Sequence, residues 1–243
     1  MDELVEFCRM PVWYAKLSQY AFPTRFVPVS QEAAALMSRG NAGENLRLLP
    51  ISELVARLDN ELDYIPGNCF ASVDTCAPTD TDRYYNKRGA TYSAKSTFRN
   101  LAASEKVRQA AEAGLVKNIC LRPYRRMSRA REFRLFIVDG VLKAMSQYHL
   151  LRHFRRLEGV KQRFWTKAVN FVEMISPELP KGNLVMDVYF TSSGKIMIVD
   201  FNTWGAPTDP LMLMKWDRDW SEEIGIVLMA PPMKLTGNVN ISF

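Results

Sequence analysis

Asn183-Leu-Val-Met-Asp187-Val-Tyr-Phe-Thr-Ser-Ser-Gly194-Lys-Ile-Met-Ile-Val-Asp200-Phe-Asn202 is the stretch that decides how this chain is understood. It reads as two β-strands joined by a tight turn at Ser193-Gly194. Pairing outward from that turn sets Asp187 directly opposite Asp200. Directly opposed residues of an antiparallel pair share a face, with Cβ atoms about 4.5–5.5 Å apart. Asn202 lies two residues beyond Asp200 and points to the same side. Like charges in that position destabilise a sheet, and a bound cation relieves the conflict. Oxygen ligands favour Mg²⁺, Ca²⁺ or Mn²⁺, and Mg²⁺ is commonly held by one or two carboxylates together with substrate phosphates. The plainer reading is a pair of solvated strand ends, because a one-residue slip of the turn would separate the two side chains.

A second hairpin precedes it. Glu132-Phe-Arg134-Leu-Phe-Ile-Val-Asp139-Gly140-Val-Leu-Lys143-Ala-Met-Ser-Gln147 carries Asp-Gly between alternating segments, a strong hairpin signal. Uniform pairing gives one apolar face of Phe133, Leu135, Ile137, Leu142, Ala144 and Ser146. The other face holds Glu132, Arg134, Lys143 and Gln147, interspersed with Phe136, Val138, Val141 and Met145. That second face suits either a ligand cleft or a solvated surface with an Arg–Glu pair.

The chain has 243 residues, is 47% hydrophobic and carries a net charge of +6. That length supports one large domain or two intimate lobes. No apolar run reaches membrane-spanning length, and the acidic start Met1-Asp-Glu-Leu-Val-Glu-Phe lacks the pattern of a signal peptide. Cys8, Cys69, Cys76 and Cys120 are scattered without C-x-x-C pairs. Reduced buried thiols and a cytoplasmic location are expected. The positive charge gathers in Arg122-Pro-Tyr-Arg125-Arg126-Met-Ser-Arg129-Ala-Arg131 and in Arg152-His-Phe-Arg155-Arg156 running on to Lys161 and Arg163. Each is either a solvated face or an anion site.

Helices are expected over residues 1–20, after the Ser30 cap, around Ile51–Leu58, over Ser104–Ala113 and over 150–175. Residues 63–93 hold turn formers with little periodicity, and a strand begins at Cys120. His149 and His153 have i,i+4 spacing, but without a neighbouring Glu and among arginines they read as surface histidines. The order of elements gives an α+β protein with antiparallel sheets.

Several of these segments together resemble the cell-division-cycle-123 family. Glu132-Phe-Arg134…Ser146-Gln147 resembles its E-F-R…I-S-Q hairpin. Asp187-Val-Tyr…Gly194-Lys-Ile-x-Ile-Val-Asp200-Phe-Asn202-x-Trp-Gly205…Thr208-Asp209-x-Leu resembles its D-V-Y…G-K-V-W-L-I-D-F-N-P-W-G…T-D-x-L block, with the same spacing between aspartates. Cys120-Leu-Arg122, Ala77-Pro78-Thr-Asp80 and Ala94-Lys95-Ser96 look like its L-V-L-R, S-A-P-K-D and L-K-C segments. The resemblance implies an ATP-grasp-like α+β fold, two lobes with antiparallel sheets gripping a nucleotide, divided here as 1–117 and 118–243. It implies ATP and Mg²⁺ as cofactors, with Asp187, Asp200 and Asn202 as metal ligands. It implies nucleotide contacts from Lys95, Arg122, Glu132, Arg134, Gln147, Asp187 and Asp200, with Arg134 as the catalytic, phosphate-contacting group. Asp209 would order the loop after Asn202. Two family lysines are replaced by Ser72 and Pro123, leaving Lys87, Arg88 or Arg125 as substitutes.

Three functions follow as expectations. The first is an ATP-dependent, ADP-forming ligase or phosphoryl-transfer enzyme acting on an unidentified acceptor. The second is a nucleotide-binding assembly factor for a protein complex, as in the resembling family's role with translation initiation factor 2. The third is a nucleic-acid-acting protein, for which only the basic balance speaks. The basic segment around Arg152, Arg155 and Arg156 is expected to meet the acceptor or an acidic protein partner rather than ATP.

Overall fold

A computed structural model describes residues 3–40 and 46–232. Met1 and Asp2 of the acidic start, and the last eleven positions of the 118–243 lobe, lie outside the described residues. The chain forms two sheets. The first has the order β1 (Arg25–Pro28), β4 (Asn118–Pro123), β2 (Cys69–Val73), β3 (Ala90–Thr91). The second has the order β8 (Ile196–Thr203), β7 (Asn183–Phe190), β5 (Glu132–Val138), β6 (Val141–Gln147), β9 (Gly225–Val227). All pairs among these strands are antiparallel except β6 with β9. The expected α+β class, two lobes with antiparallel sheets, is therefore present.

Each sheet buries one face against helices. Helices Gln31–Ser38, Leu49–Leu62, Ala94–Ala103 and Glu105–Glu112 cover the first, closing a core of Ile51, Leu54, Phe98, Leu101, Val107 and Ile119. Helix Lys161–Ile175 and the N-terminal helices Glu3–Phe7 and Met10–Leu17 cover the second. Phe7 and Trp13 stack edge-on against Phe201 of β8, at 5.1 and 5.5 Å between ring centres. The opposite face of the second sheet is capped at one end by Trp204, Trp216 and Trp220 around Phe136.

The division at 117/118 does not follow these layers. Strand β4 belongs to the first sheet, and the N-terminal helices pack on the second. Hydrophobic contact, which takes no account of chain order, overrides the sequence boundary. Two further corrections concern helices. The 150–175 segment is two pieces, Arg155–Glu158 and Lys161–Ile175. The turn-rich 63–93 segment contains β2, helix Asp82–Lys87 and β3.

Both hairpins carry one-residue bulges that decide side-chain direction. Around Asp139 and Gly140, both with positive φ (48° and 78°), β5 and β6 pair as expected through Ile137↔Leu142. The partner of Phe136 is then Ala144, so Lys143 is the extra residue. A bulge inverts the facing of everything beyond it. Met145 consequently joins Leu135 in the main core, while Ala144 turns to Phe136 on the other face. The uniform two-face assignment thus fails for Ala144, Ser146, Met145 and Gln147. The bulged Lys143 anchors the segment leading to β9: its carbonyl accepts from Ile224 N (2.8 Å) and its Nζ donates to Ser221 O (2.6 Å).

Candidate cleft between the two sheets

The second bulge builds the floor of the site. Near the turn β7 and β8 pair as Phe190↔Ile196, Tyr189↔Met197 and Val188↔Ile198, one residue off the uniform register. Val199 is then skipped, and the next pair is Asp187↔Asp200. The expected opposition is present, reached through a compensating bulge. Asn202 falls on the same face and donates from Nδ2 to Asp187 Oδ2 at 3.1 Å. The carbonyl of the skipped Val199 accepts from Arg122 Nη1 of β4 at 2.8 Å. The bulge therefore also ties the two sheets together.

Arg134 of β5 lies beside Asp187 in register. Its Nε and Nη2 donate to Asp187 Oδ1 and Oδ2 at 2.7 and 2.8 Å, and its Nη1 donates to Asp209 O at 2.7 Å. The expected phosphate-contacting arginine is thus fork-paired with the expected metal ligand. The carbonyl of Asp209 steadies Arg134, while Asp209 Oδ1 accepts from Leu211 N at 2.8 Å and shapes the loop after β8. Arg134 also stacks on Tyr148, 5.3 Å from the ring centre.

A cleft of about 1160 Å³, part of it open to solvent, lies above this floor. Asp187, Asp200, Glu132, Phe133, Val188 and Val199 line it from the second sheet. Ser72 and Arg122 line it from the first, together with Ala77, Thr79, Tyr84 and Arg88 from the loop and helix after β2. Pro123, Tyr124 and Arg125 form the connecting edge, and Met10 and Phe22 close one side. Its largely apolar wall with a few convergent polar groups suits a small-molecule ligand.

The remaining sequence candidates separate here. Glu132 and His149 line the cleft and meet each other, His149 Nε2 lying 3.0 Å from Glu132 Oε2. That approach lacks hydrogen-bond geometry, and Nε2 has no hydrogen-bond partner among the described residues. His153 instead lies by Glu158, so the two histidines do not form a pair. Lys95 is exposed in the first turn of helix Ala94–Ala103 and lies outside the cleft lining. The Ser93–Ser96 capping box fixes that turn on a different surface. Gln147 is carried to the core side by the β6 bulge. It donates to the carbonyls of His149 and Arg152 and accepts from Met229 N (3.3 Å), so it holds the chain after β6 and is absent from the cleft lining. Of the lysine substitutes, Arg88 and Arg125 line the cleft; Lys87 is exposed outside it. His149, expected as a surface histidine, instead lines the cleft with its Nε2 buried, while Tyr84 and Tyr148 carry no sequence signal; the positions of all three depend on packing between sheets.

The electrostatics of the floor are strained. Burial pushes the Asp200 carboxyl up to about 7; Arg122 opposes this and Asp187 adds to it. Burial depresses Arg122, with Asp200 acting against it. For Arg134 burial works against the charge, but Asp187 more than offsets it and the net shift is upward. Asp187 raises the Tyr148 phenol further than burial does. Burial, reinforced by Asp200, takes the half-buried Cys76 thiol up to about 12. The cysteines of the described residues are all free.

The donor set fits a hard cation. Asp200 Oδ1 accepts from Phe201 N at 3.0 Å, while Oδ2 accepts nothing among the described residues. A carboxylate this disfavoured as an anion gains from a nearby positive charge. Among the described residues no three His, Cys, Asp or Glu side chains converge. An ion here would be shared by two carboxylates, Asn202 and the ligand's own oxygens, as is usual for Mg²⁺.

The fold and site define a two-lobed α+β protein with a carboxylate-floored cleft between antiparallel sheets. Comparison with known proteins makes the assignment specific. The family model described as D123 matches residues 91–222, more than half of the chain, and the chain belongs to that family. It is 32% identical over 108 residues to a translation initiation factor eIF2 assembly protein of Xenopus tropicalis, covering 42% of this chain and 32% of that protein. It is 30% identical over 110 residues to cell division cycle protein 123 of Candida glabrata, covering 44% and 29%. The matched stretch thus spans about a third of the length of these curated relatives. The solved structure of Cdc123 from Schizosaccharomyces pombe superposes with a TM-score of 0.76 at 16% identity, covering 92% of this chain and 95% of that one. A C-terminally truncated form gives 0.78 at 17%, covering 96% and 98%. At such identity the likeness establishes the fold.

Proposed function

We propose that the cleft binds ATP with Mg²⁺ and that the protein is a nucleotide-binding assembly factor for a protein complex. The observation that carries the nucleotide reading is the opposition of Asp187 and Asp200 on the cleft floor, with Asp200 disfavoured as a lone anion. Asp187, Asp200 and Asn202 would hold the ion, which supplies positive charge for phosphate oxygens. Arg122 braces the floor from the first sheet, and Glu132, Tyr84 and His149 face the ligand space. The assembly role rests on the relatives named as eIF2 assembly proteins. An assembly role needs a surface for the protein partner. The exposed arginines Arg152, Arg155 and Arg156 supply one for an acidic protein surface.

Calorimetric titration with ATP tests the nucleotide reading. Affinity is expected to fall by at least about tenfold when Mg²⁺ is replaced by chelator or when Asp200 is changed to Ala. Equal affinity under all three conditions defeats it. Rapid ADP release in steady state, stimulated by a small-molecule acceptor, would favour a ligase over an assembly factor.

A further inference from the structure

The arginines around the cleft are not equivalent. Arg122 is spent on Val199 O, Thr24 Oγ1 (3.2 Å) and Met10 Sδ (2.8 Å). Arg134 is spent on Asp187 and Asp209. Arg88 and Arg125 line the cleft, and their guanidinium groups make no hydrogen bond or ion pair among the described residues. Arg125 is exposed on the loop after β4. Arg88 is half-buried, and its charge is felt at the Tyr84 phenol, where it opposes Glu132.

Arg88 also occupies a costly backbone position. It follows helix Asp82–Lys87 with φ 54° and ψ 33°, in the left-handed region. Gly89 N donates to Arg83 O at 3.2 Å and Arg88 N to Tyr84 O at 2.8 Å. This is the helix-ending motif whose left-handed residue is normally Gly, or else Asn. Gly89 has φ 75°, and a Cβ there would lie 2.8 Å from Phe70 Cε2, which presses the turn onto β2. An arginine with no partner thus stands at a position where its own backbone is disfavoured and its side chain faces the cleft. Unfavourable conformations of this kind concentrate at ligand sites.

We infer that Arg88 is an anion-holding residue of the cleft, one that contacts the terminal phosphates of the bound nucleotide from the first lobe, opposite the carboxylate floor. This rests on the nucleotide reading above. It adds a counter-charge for phosphate from the first lobe, where Arg88 is unpaired among the described residues, while Arg134 is held in place by Asp187 and Asp209.

The test is Arg88→Asn, with Arg88→Lys beside it, measured by calorimetry with ATP, adenosine and inorganic tripolyphosphate and by thermal melting. Asn removes the charge and suits the left-handed backbone. Arg88→Asn is expected to melt no lower than the wild type, to bind ATP and tripolyphosphate about tenfold more weakly, and to bind adenosine unchanged. Arg88→Lys is expected to recover part of the loss. Wild-type affinity for ATP in Arg88→Asn overturns the inference about Arg88 and leaves the nucleotide reading standing. Equal losses for ATP and adenosine also overturn it, since the residue would then shape the cleft and not hold the anion. A wild-type protein that binds none of the three ligands overturns the nucleotide reading and this inference with it.

Discussion

Asp187 and Asp200 face each other across β7 and β8 although the two strands shift register by one residue beside them. The skipped Val199 gives its carbonyl to Arg122 of the other sheet, so the geometry that opposes the carboxylates also fixes the lobes. The conflict has a measurable consequence in pH. The Asp200 carboxyl is held at about 7 against an ordinary value of 3.8. Between those values the folded state binds the extra proton, so stability falls as pH rises from about 4 to about 7 and levels off above. Asp200→Asn removes that dependence. In magnesium-free buffer the variant is expected to melt higher than the wild type at pH 8, with the difference shrinking towards pH 4. A pH-independent difference in melting temperature would exclude a raised carboxyl.

The fork between Arg134 and Asp187 is buried on both sides, with 7% and 10% of the side chains exposed. Removing one member of such a pair leaves an uncompensated charge and costs about 3 kcal/mol. Arg134→Ala is therefore expected to lower the urea midpoint without changing the slope. A divalent cation can then neutralise Asp187 in place of the guanidinium. Mg²⁺ is expected to raise the melting temperature of Arg134→Ala more than that of the wild type. An equal or smaller rise would mean that Asp187 does not accept the ion.

The site was more legible than the lobe that covers it. Asp187, Asp200 and Asn202 are set by a hairpin, and a local turn with alternating residues is visible in sequence. Even there the bulge was invisible: turn and register each differ by one residue from uniform pairing, and the two offsets cancel at Asp187. In the other hairpin the bulge at Lys143 has no compensating offset, and Gln147 goes to the opposite side. Lys95 lies outside the cleft lining for a different reason, since a short motif says nothing about which surface its helix presents. The strands of the first sheet, down to the two residues of Ala90–Thr91, are too short for periodicity to show. The packing of Trp13 and Phe7 on Phe201 joins opposite ends of the chain and leaves no local trace.

Those N-terminal helices also clasp the first lobe. Arg9 pairs with Asp74 just past β2, both within 3% of full burial, and Met10 N donates to Asp74 O at 2.8 Å. Asp74 Oδ1 also accepts from Asn118 N at 2.6 Å. Arg9→Met is expected to lose about 3 kcal/mol of stability by stranding a buried carboxylate. Arg9→Met with Asp74→Asn is expected to regain a good part of it, because the stranded charge is gone. Urea unfolding of the two single variants and the double completes the cycle. Additive losses would show that the pair is not coupled.

The two arginine-rich stretches of the sequence meet in space, since Arg156 Nη2 donates to Ser128 Oγ at 3.1 Å. Arg125 and Arg126 from one stretch, and Arg152, Arg155 and Arg156 from the other, are exposed. Arg125 also lines the cleft, so the basic surface begins at its rim. Arg122 and Arg134 are committed to the fold, and one nucleotide does not require the whole cluster beyond them. An acidic protein surface would use the excess, and steering by such a field weakens as salt screens it. A variant with Arg152, Arg155 and Arg156 all changed to Gln is expected to bind Mg²⁺-ATP as the wild type does. Its association with an acidic partner, the first to test being the translation initiation factor that the relatives are named for assembling, is expected to be slower and less salt-dependent. Partner association indistinguishable from wild type at both low and high salt would reduce the cluster to solvated surface charge.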